Sequence, residues 1–87
     1  MKGHQGYIYI LECEGFYKIG LSKNVERRKK QLDFTPFKSK IIFKSPLMED
    51  IYSVEEQLHI FYEKKRVKGE WFKLSPEDIE EIKEITR

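Results

Sequence analysis

Residues 6–22, GYIYILECEGFYKIGLS, decide the fold expected for this chain. The first half of this stretch alternates and is rich in tyrosine and isoleucine, which favours a β-strand. Glu14 and Gly15 follow as a turn, and FYKIGL supplies a partner strand. The stretch therefore predicts an antiparallel hairpin. Its tyrosines, lysine and glycines raise the question whether the hairpin is also the floor of an active site.

The composition favours a small soluble domain with a heavily charged surface. The chain has 87 residues, of which 39% are hydrophobic and 37% charged, so we expect a single domain spanning residues 1–87. No apolar run reaches the length of a membrane span, and a single cysteine cannot form an internal disulfide. We therefore expect a cytoplasmic protein without a membrane partner.

Positive charge is concentrated in the first half of the chain. Residues 18–40 hold eight lysines and arginines against two acidic residues, whereas residues 77–84 are mostly acidic. The net charge of +2 is too small to prove nucleic-acid binding. A basic face could hold a polyanion, and a solvated charged helix explains the same pattern, so charge alone leaves both interpretations open.

After the hairpin, the sequence predicts a short helix and a third strand. The helix is VERRKKQL, with Ser22 or Asn24 as its N-cap. The strand is KIIFKS, which is rich in β-branched and aromatic residues.

The second half of the sequence predicts two more helices. One extends roughly over residues 50–65, and an extended connector, KGEWFKL, then returns Trp71 and Phe72 to the core. SPED begins the last helix, whose apolar residues are Ile79, Ile82 and Ile85. The expected fold is α+β: a small three-stranded antiparallel sheet flanked by about three helices, in the order β-β-α-β-α-α.

Helical phase predicts which polar side chains point inward. In the first helix Val25 and Leu32 mark the apolar side, and Arg28 falls on it, whereas Arg27 is rotated from Arg28 by about 100°. We therefore expect Arg28 to face the sheet and Arg27 to face solvent. A structural arginine that lays its stem on the core explains the position of Arg28 equally well.

The second helix places a carboxylate beside its apolar stripe. Glu55 lies within about 40° of Ile51, whereas Glu56 points away. A buried carboxylate must be paired, protonated or bound to a metal. A salt bridge to Arg28 or Lys18 is the purely structural alternative. His59 follows Glu55 by one turn on the flank of the same stripe.

Several common site patterns are missing from the sequence. There is no phosphate-binding glycine loop, and the two histidines and one cysteine are too scattered to hold zinc. Gly20, between a strand and a helix, would let the backbone turn tightly and let a ligand approach.

Taken together and in order, four short motifs resemble the GIY-YIG nuclease superfamily. They are Tyr7-Ile8-Tyr9, Lys18-Ile19-Gly20, Asn24-Val25-Glu26-Arg27-Arg28 and Val54-Glu55-Glu56-Gln57-Leu58-His59. The small phage-type branch of that superfamily typically reads KIG in its second motif and ends in a sequence similar to the GEWFKLSPED found here. The resemblance covers nearly the whole chain and implies a protein of a phage or its bacterial host.

The resemblance implies a role for each matching residue in cutting DNA. Tyr9 and Lys18 would activate water, Arg28 would hold the phosphate, and Glu55 would bind one divalent cation, Mg²⁺ or Mn²⁺. A pKa of the tyrosine lowered by Lys18 would favour this chemistry. The choice of general base between Tyr7 and Tyr9 stays open. Further candidates are His59 for catalysis and Gly20, Lys23, Arg27 and Lys29 for substrate binding.

The sequence also departs from the superfamily pattern. Tyr7 stands where the first motif usually has glycine, Lys18 where the second has tyrosine, and EWF where many members carry an asparagine. A catalytically silent nucleic-acid-binding module of the same fold is therefore the main alternative to a metal-dependent DNA endonuclease, and an interaction domain is the third reading. Because a lone catalytic domain would bind DNA weakly, we expect a homodimer or a partner DNA-binding protein.

Overall fold

A computed structural model describes residues 4–33 and 38–86. The Leu32 side chain, used above to set the phase of the first helix, lies outside the described atoms. The elements of the described part of the chain are β1 (Tyr7–Cys13), β2 (Phe16–Ser22), α1 (Val25–Leu32), β3 (Lys40–Lys44), α2 (Ile51–Phe61), a 3₁₀ turn (Glu63–Lys65), β4 (Arg66–Lys68), β5 (Trp71–Phe72) and α3 (Pro76–Ile85).

The α+β class is confirmed, but the expected three-stranded sheet is wrong. The described residues form a five-stranded antiparallel sheet in the order β3-β1-β2-β5-β4. β5 and the last residue of β4 come from the segment predicted as an extended connector, residues 68–74, and the rest of β4 lies just before it. β4 and β5 are three and two residues long, too short to show the alternation that identifies a strand in sequence.

The predicted hairpin is the centre of the sheet. β1 and β2 pair along their full length, from Tyr7 opposite Ser22 to Cys13 opposite Phe16. Their turn places Glu14 and Gly15 at positive φ, 55° and 83°. Glycine adopts this backbone conformation at little cost, which explains a glycine in the turn.

The alternation of β1 and β2 gives the sheet two distinct faces. Ile8, Ile10 and Ile19 point to one face, where they pack with α2, α3 and Phe72 in the main hydrophobic core. We call this the core face. Tyr9 and Leu11 point to the other, where they pack with Val25 of α1 in a smaller cluster. We call this the α1 face.

Each helix begins at a side-chain cap. The Asn24 side chain accepts a hydrogen bond from the Arg27 N–H, so Asn24, rather than Ser22, caps α1. Asp50 caps α2, and Ser75 forms a reciprocal capping box with Asp78 at the start of α3.

Two apolar side chains expected in the core are not buried. Ile85 is exposed because it lies at the end of α3, where the helix passes the edge of the core. Trp71 is half-buried, and it lies on the α1 face because it is the register partner of Lys18. Phe72, its neighbour in sequence, is fully buried in the core as predicted.

Candidate active site

Tyr9 lies on the α1 face directly over Gly20. The two residues are register partners, and a Cβ built on Gly20 would lie 2.5 Å from both Cζ and the hydroxyl oxygen of Tyr9. Glycine is thus required here because the Tyr9 ring occupies the space that a side chain would need. The sequence predicted that a ligand would lie close to Gly20. In the structure Gly20 is buried, and it is the Tyr9 ring that lies against it.

Lys18 is buried on the same face, one diagonal position along from Tyr9. Leu11, the next residue of β1 on this face after Tyr9, is the register partner of Lys18. The Lys18 ammonium group forms a salt bridge with the carboxylate of Glu70, whose side chain is 43% exposed. The hairpin therefore does bring Tyr9 and Lys18 onto one face, as the sequence predicts.

The end of β5 explains why polar groups collect at this point. β5 begins at Trp71, the partner of Lys18, and pairs only with Tyr17 and Lys18 of β2. From Ile19 onward, β2 therefore has no strand partner on this side. The Ile19 N–H donates to the Glu70 carbonyl at 3.2 Å, and His59 Nε2 lies 2.9 Å from the Ile19 carbonyl oxygen. Because a carbonyl can only accept, Nε2 of His59 carries the hydrogen in this bond.

Glu55 reaches this group of residues from α2. Burial and the nearby Glu70 raise the pKa of the Glu55 carboxyl, while His59 and Lys18 act in the opposite direction. Among the described residues, none of the ion pairs includes Glu55. The predicted structural alternative, a salt bridge from Glu55 to Arg28 or Lys18, is therefore wrong: Lys18 pairs with Glu70 instead. Glu56 is exposed, as helical phase predicts.

Arg28 approaches Tyr9 from α1. The Arg28 side chain is exposed, but it is close enough to the Tyr9 hydroxyl to be the main group that favours ionisation of the phenol. Its Nη1 also lies 3.5 Å from the Gln31 side-chain oxygen. The Arg28 guanidinium group therefore lies toward the sheet, as helical phase predicts, although the residue is not buried.

The pKa of Tyr9 is raised, contrary to the expectation that Lys18 would lower it. Burial of the phenol is the largest cause, and the carboxylates of Glu70 and Glu55 add to it, while Arg28 opposes the shift. The charge of Lys18 is already balanced by Glu70, which explains why it does not lower the pKa of Tyr9. Tyr9 is therefore protonated at neutral pH in the protein on its own.

A basic cleft of about 420 Å³ adjoins the Arg28 side of this site. It is lined by the end of β2 and the first turns of α1, which contribute Leu21, Ser22, Lys23, Asn24, Arg27, Arg28 and Gln31. Three cationic side chains and two amides in an open cleft suit an anionic ligand such as a phosphodiester backbone. Arg27 and Arg28 line the cleft together, and Arg27 is exposed to solvent, as helical phase predicts.

Two other predicted site residues lie apart from the cleft. The Lys29 ammonium group lies 2.6 Å from the Asp33 carboxylate, which also accepts hydrogen bonds from Ser39. Lys29 thus helps to close the end of α1. Tyr7 is half-buried, with the Lys44 ammonium 4.9 Å from its ring centroid.

The donor set fits a hard divalent cation held mainly by water and substrate. In residues 4–33 and 38–86, no three histidine, cysteine or acidic side chains cluster in a way that could hold a metal ion. Glu55 and Glu70 are near enough to influence each other, and carboxylate oxygens are the ligands that Mg²⁺ and Mn²⁺ prefer. Mg²⁺ commonly keeps several waters and uses only one or two protein carboxylates.

Glu70 is the member of this cluster that the sequence did not single out. It follows Gly69, which has a φ of 58°, in the two-residue connection between β4 and β5. A glycine-led connection between two short β-rich pieces is a hairpin signal, and it would have placed Glu70 next to β2. Because the sequence analysis treated this segment as an extended connector, it did not predict that Glu70 lies beside β2.

Comparison with known proteins identifies a family for almost the whole chain. No curated protein and no solved structure has significant similarity to it. The described part of the chain holds no helix with the length and apolar character needed to cross a membrane. The family described as the T5orf172 domain matches residues 6–87, and the chain therefore belongs to this phage-type family, which is associated with nuclease-related domains.

Proposed function

We propose that this chain is a metal-dependent DNA endonuclease of the GIY-YIG type that hydrolyses phosphodiester bonds. The observation that carries the proposal is the grouping of Tyr9, Lys18, Arg28 and Glu55, which four different elements supply, at the end of β5. Membership of a nuclease-associated family supports the same conclusion. The superfamily resemblance selects all four residues, and helical phase selects Arg28 and Glu55, both independently of the structure.

Arg28 and the basic cleft would bind the DNA backbone. The guanidinium group is planar, always charged and able to donate two parallel hydrogen bonds to one phosphate. Lys23 and Arg27 line the same cleft and would contact neighbouring phosphates. Binding through phosphates gives affinity that falls with salt and depends little on base sequence.

Tyr9 and Lys18 would hold the attacking water on the α1 face. The Tyr9 hydroxyl is fixed by the fit of its ring over Gly20, so it can orient a water with little loss of freedom. Since the pKa of Tyr9 is raised, it would accept a proton from this water only when positive charge near the phenol increases. Arg28 is already placed to contribute to that charge.

Glu55 would hold the divalent cation, with Glu70 beside it. A bound Mg²⁺ or Mn²⁺ stabilises negative charge on the phosphoryl and leaving oxygens. Glu55 suits this task because it is half-buried and, in the described part of the chain, in no ion pair.

A silent DNA-binding module of the same fold is the second candidate function. The salt bridge from Lys18 to Glu70 favours it, because this pair occupies the ammonium group that would otherwise face substrate. In this case the basic cleft would bind DNA without cleavage.

Cleavage of supercoiled plasmid DNA with Mg²⁺, Mn²⁺ or EDTA separates the two functions. We expect nicking or linearisation by wild type with either metal, none in EDTA, and none by the Glu55→Gln variant. Glu56→Gln is the matched control, since Glu56 is the exposed neighbour on the same helix, and it should cleave normally. DNA binding by Glu55→Gln should be unchanged or slightly stronger, because a negative charge is removed from near the phosphate.

Thermal melts of the same variants identify a purely structural role. If Glu55 only stabilised the fold, Glu55→Gln would lower Tm together with activity. A folded Glu55→Gln protein that cleaves at the wild-type rate would contradict the mechanism. Wild type that binds DNA but does not cleave it with any divalent metal would favour the silent module.

A further inference from the structure

A second recess lies on the α1 face, at the hairpin end of the sheet. It has a volume of about 310 Å³ and is lined by Cys13, Glu14, Phe16, Val67, Lys68 and Trp71. We call it the aromatic groove. Phe16 and Val67 are exposed by 38% and 55%, although both are large apolar residues. Nothing in the proposed chemistry at Tyr9 and Arg28 uses these side chains.

The register of the sheet ties the aromatic groove to the candidate active site. Trp71 is the direct partner of Lys18, and Phe16 precedes Lys18 by two residues, so all three side chains share the α1 face. Two residues of a strand span about 7 Å. The aromatic groove therefore begins about one nucleotide's length from Lys18, and the basic cleft lies at the opposite end of β2.

We propose that the aromatic groove binds unstacked bases of single-stranded DNA whose backbone runs through the basic cleft. This inference rests on the proposed function and names its substrate class. Aromatic side chains beside a cationic track are the usual means of holding single strands, because every base has a face that can stack. Bases within an intact duplex are paired and stacked inside it and could not reach Phe16 and Trp71.

The charges around the groove are consistent with bases in the aromatic groove and phosphates in the basic cleft. Lys68 lies on its rim, whereas Glu14 lies at the hairpin turn, beyond Phe16 from Lys18. Phosphates would be repelled from Glu14 and attracted toward Lys23, Arg27 and Arg28 at the other end of β2. An uncharged base can enter the groove while its own phosphate lies on the Lys68 side, away from Glu14.

Fluorescence of the single tryptophan provides a direct test that needs no cleavage. Trp71 is the only tryptophan of the chain, and it lines the groove. In EDTA at low salt, we expect an oligothymidine of about ten nucleotides to quench this fluorescence. A strand of equal length with abasic sites at its centre carries the same phosphates and should bind about tenfold more weakly.

Phe16 allows a test by mutation without disturbing the core, because its side chain is exposed at the end of the hairpin. Phe16→Ala should weaken binding of the intact strand about tenfold, leave binding of the abasic strand unchanged, and be rescued by Phe16→Tyr. Phe61→Ala is the matched control, since Phe61 is exposed on α2 away from the groove, and it should bind both strands as wild type does.

The outcomes separate this inference from the function on which it rests. Equal affinity for intact and abasic strands, or full affinity in Phe16→Ala, would overturn base binding in the groove while DNA binding survives; a groove that serves a protein partner gives this result. Failure of every strand and of duplex DNA to bind would overturn both proposals.

Discussion

The two faces of the sheet differ in what covers them. The core face is sealed by α2 and α3 over fully buried side chains such as Ile10, Phe72 and Ile82. The α1 face has a smaller cluster around Tyr9, Leu11 and Val25, flanked by Lys18, the basic cleft and the aromatic groove. In a domain of this size one well-packed face must supply most of the stability, which leaves the other available for polar chemistry.

Removal of Phe72 should have the largest effect on folding. Phe72→Ala should lower the free energy of unfolding by about 3–5 kcal/mol, because a fully buried ring is lost from the main core. Urea denaturation measures this. Phe16→Ala, on the α1 face, should change the same quantity by less than about 1 kcal/mol. Similar losses in both variants would mean that the two faces do not differ as described.

Gly20→Ala tests the α1 face where it is most tightly packed. The added methyl group would lie against the Tyr9 ring, so the ring must move, at a cost of about 1–3 kcal/mol in stability. A shift of Tyr9 by about 1 Å should lower plasmid cleavage by about a hundredfold. The assay pairs initial cleavage rates with thermal melts. Wild-type activity together with wild-type Tm would show that Tyr9 does not depend on Gly20.

Acid should affect the core face through Asp78. Burial acts to raise the pKa of the Asp78 carboxyl, but the Lys65 ammonium and hydrogen bonds with Ser75 outweigh it and lower the pKa below its usual range. The stabilisation is therefore complete above the unfolded pKa of about 4 and is lost as pH falls through the lower folded value.

Asp78→Asn should remove this dependence on acid. We expect a loss of about 1 kcal/mol at pH 7, shrinking toward zero as pH falls below the folded pKa, since wild type then loses the same interactions. Urea titrations of the two proteins at several pH values measure the loss of stability at pH 7 and its decrease as pH falls. Cleavage per folded molecule should not change at pH 7. A constant difference between the two proteins at every pH would contradict the assignment.

The smallest effect should come from Arg27 in the basic cleft. Arg27→Ala should reduce the slope of log affinity against log salt by about 0.9, since one phosphate contact is lost, without a change in unfolding free energy. Gel shifts over a salt series measure the slope. Lys83→Ala, which removes one positive charge from α3, is the control and should keep the wild-type slope.

The regular parts of the fold could be predicted because they are long enough to show a period. The hairpin and the bounds of α1 follow directly from alternation and from Asn24 as a cap. β4 and β5 were missed because two or three residues carry no alternation. The predicted burial of Trp71 in the core was wrong for the same reason, because the pairing of β5 with β2 decides which face of the sheet Trp71 occupies.

The candidate site was predictable only where it lies on regular structure. The phase of α2 separates Glu55 from Glu56, and the strand alternation puts Tyr9 and Lys18 on one face. Glu70 lies in a turn, where sequence has no period to indicate direction. The raised pKa of Tyr9 depends on burial and on Glu70, which are properties of the assembled fold.

The two-residue length of β5 also has a consequence for motion. Beyond it, the amide of Ile19 bonds to the carbonyl of Glu70 in a turn, whereas the amide of Ile10 lies within a sheet paired on both sides. Hydrogen exchange at Ile19 should therefore proceed through brief local opening, and exchange at Ile10 only through rarer, larger openings. This amide would report how often the turn that carries Glu70 lifts away from Lys18 while the rest of the domain stays closed.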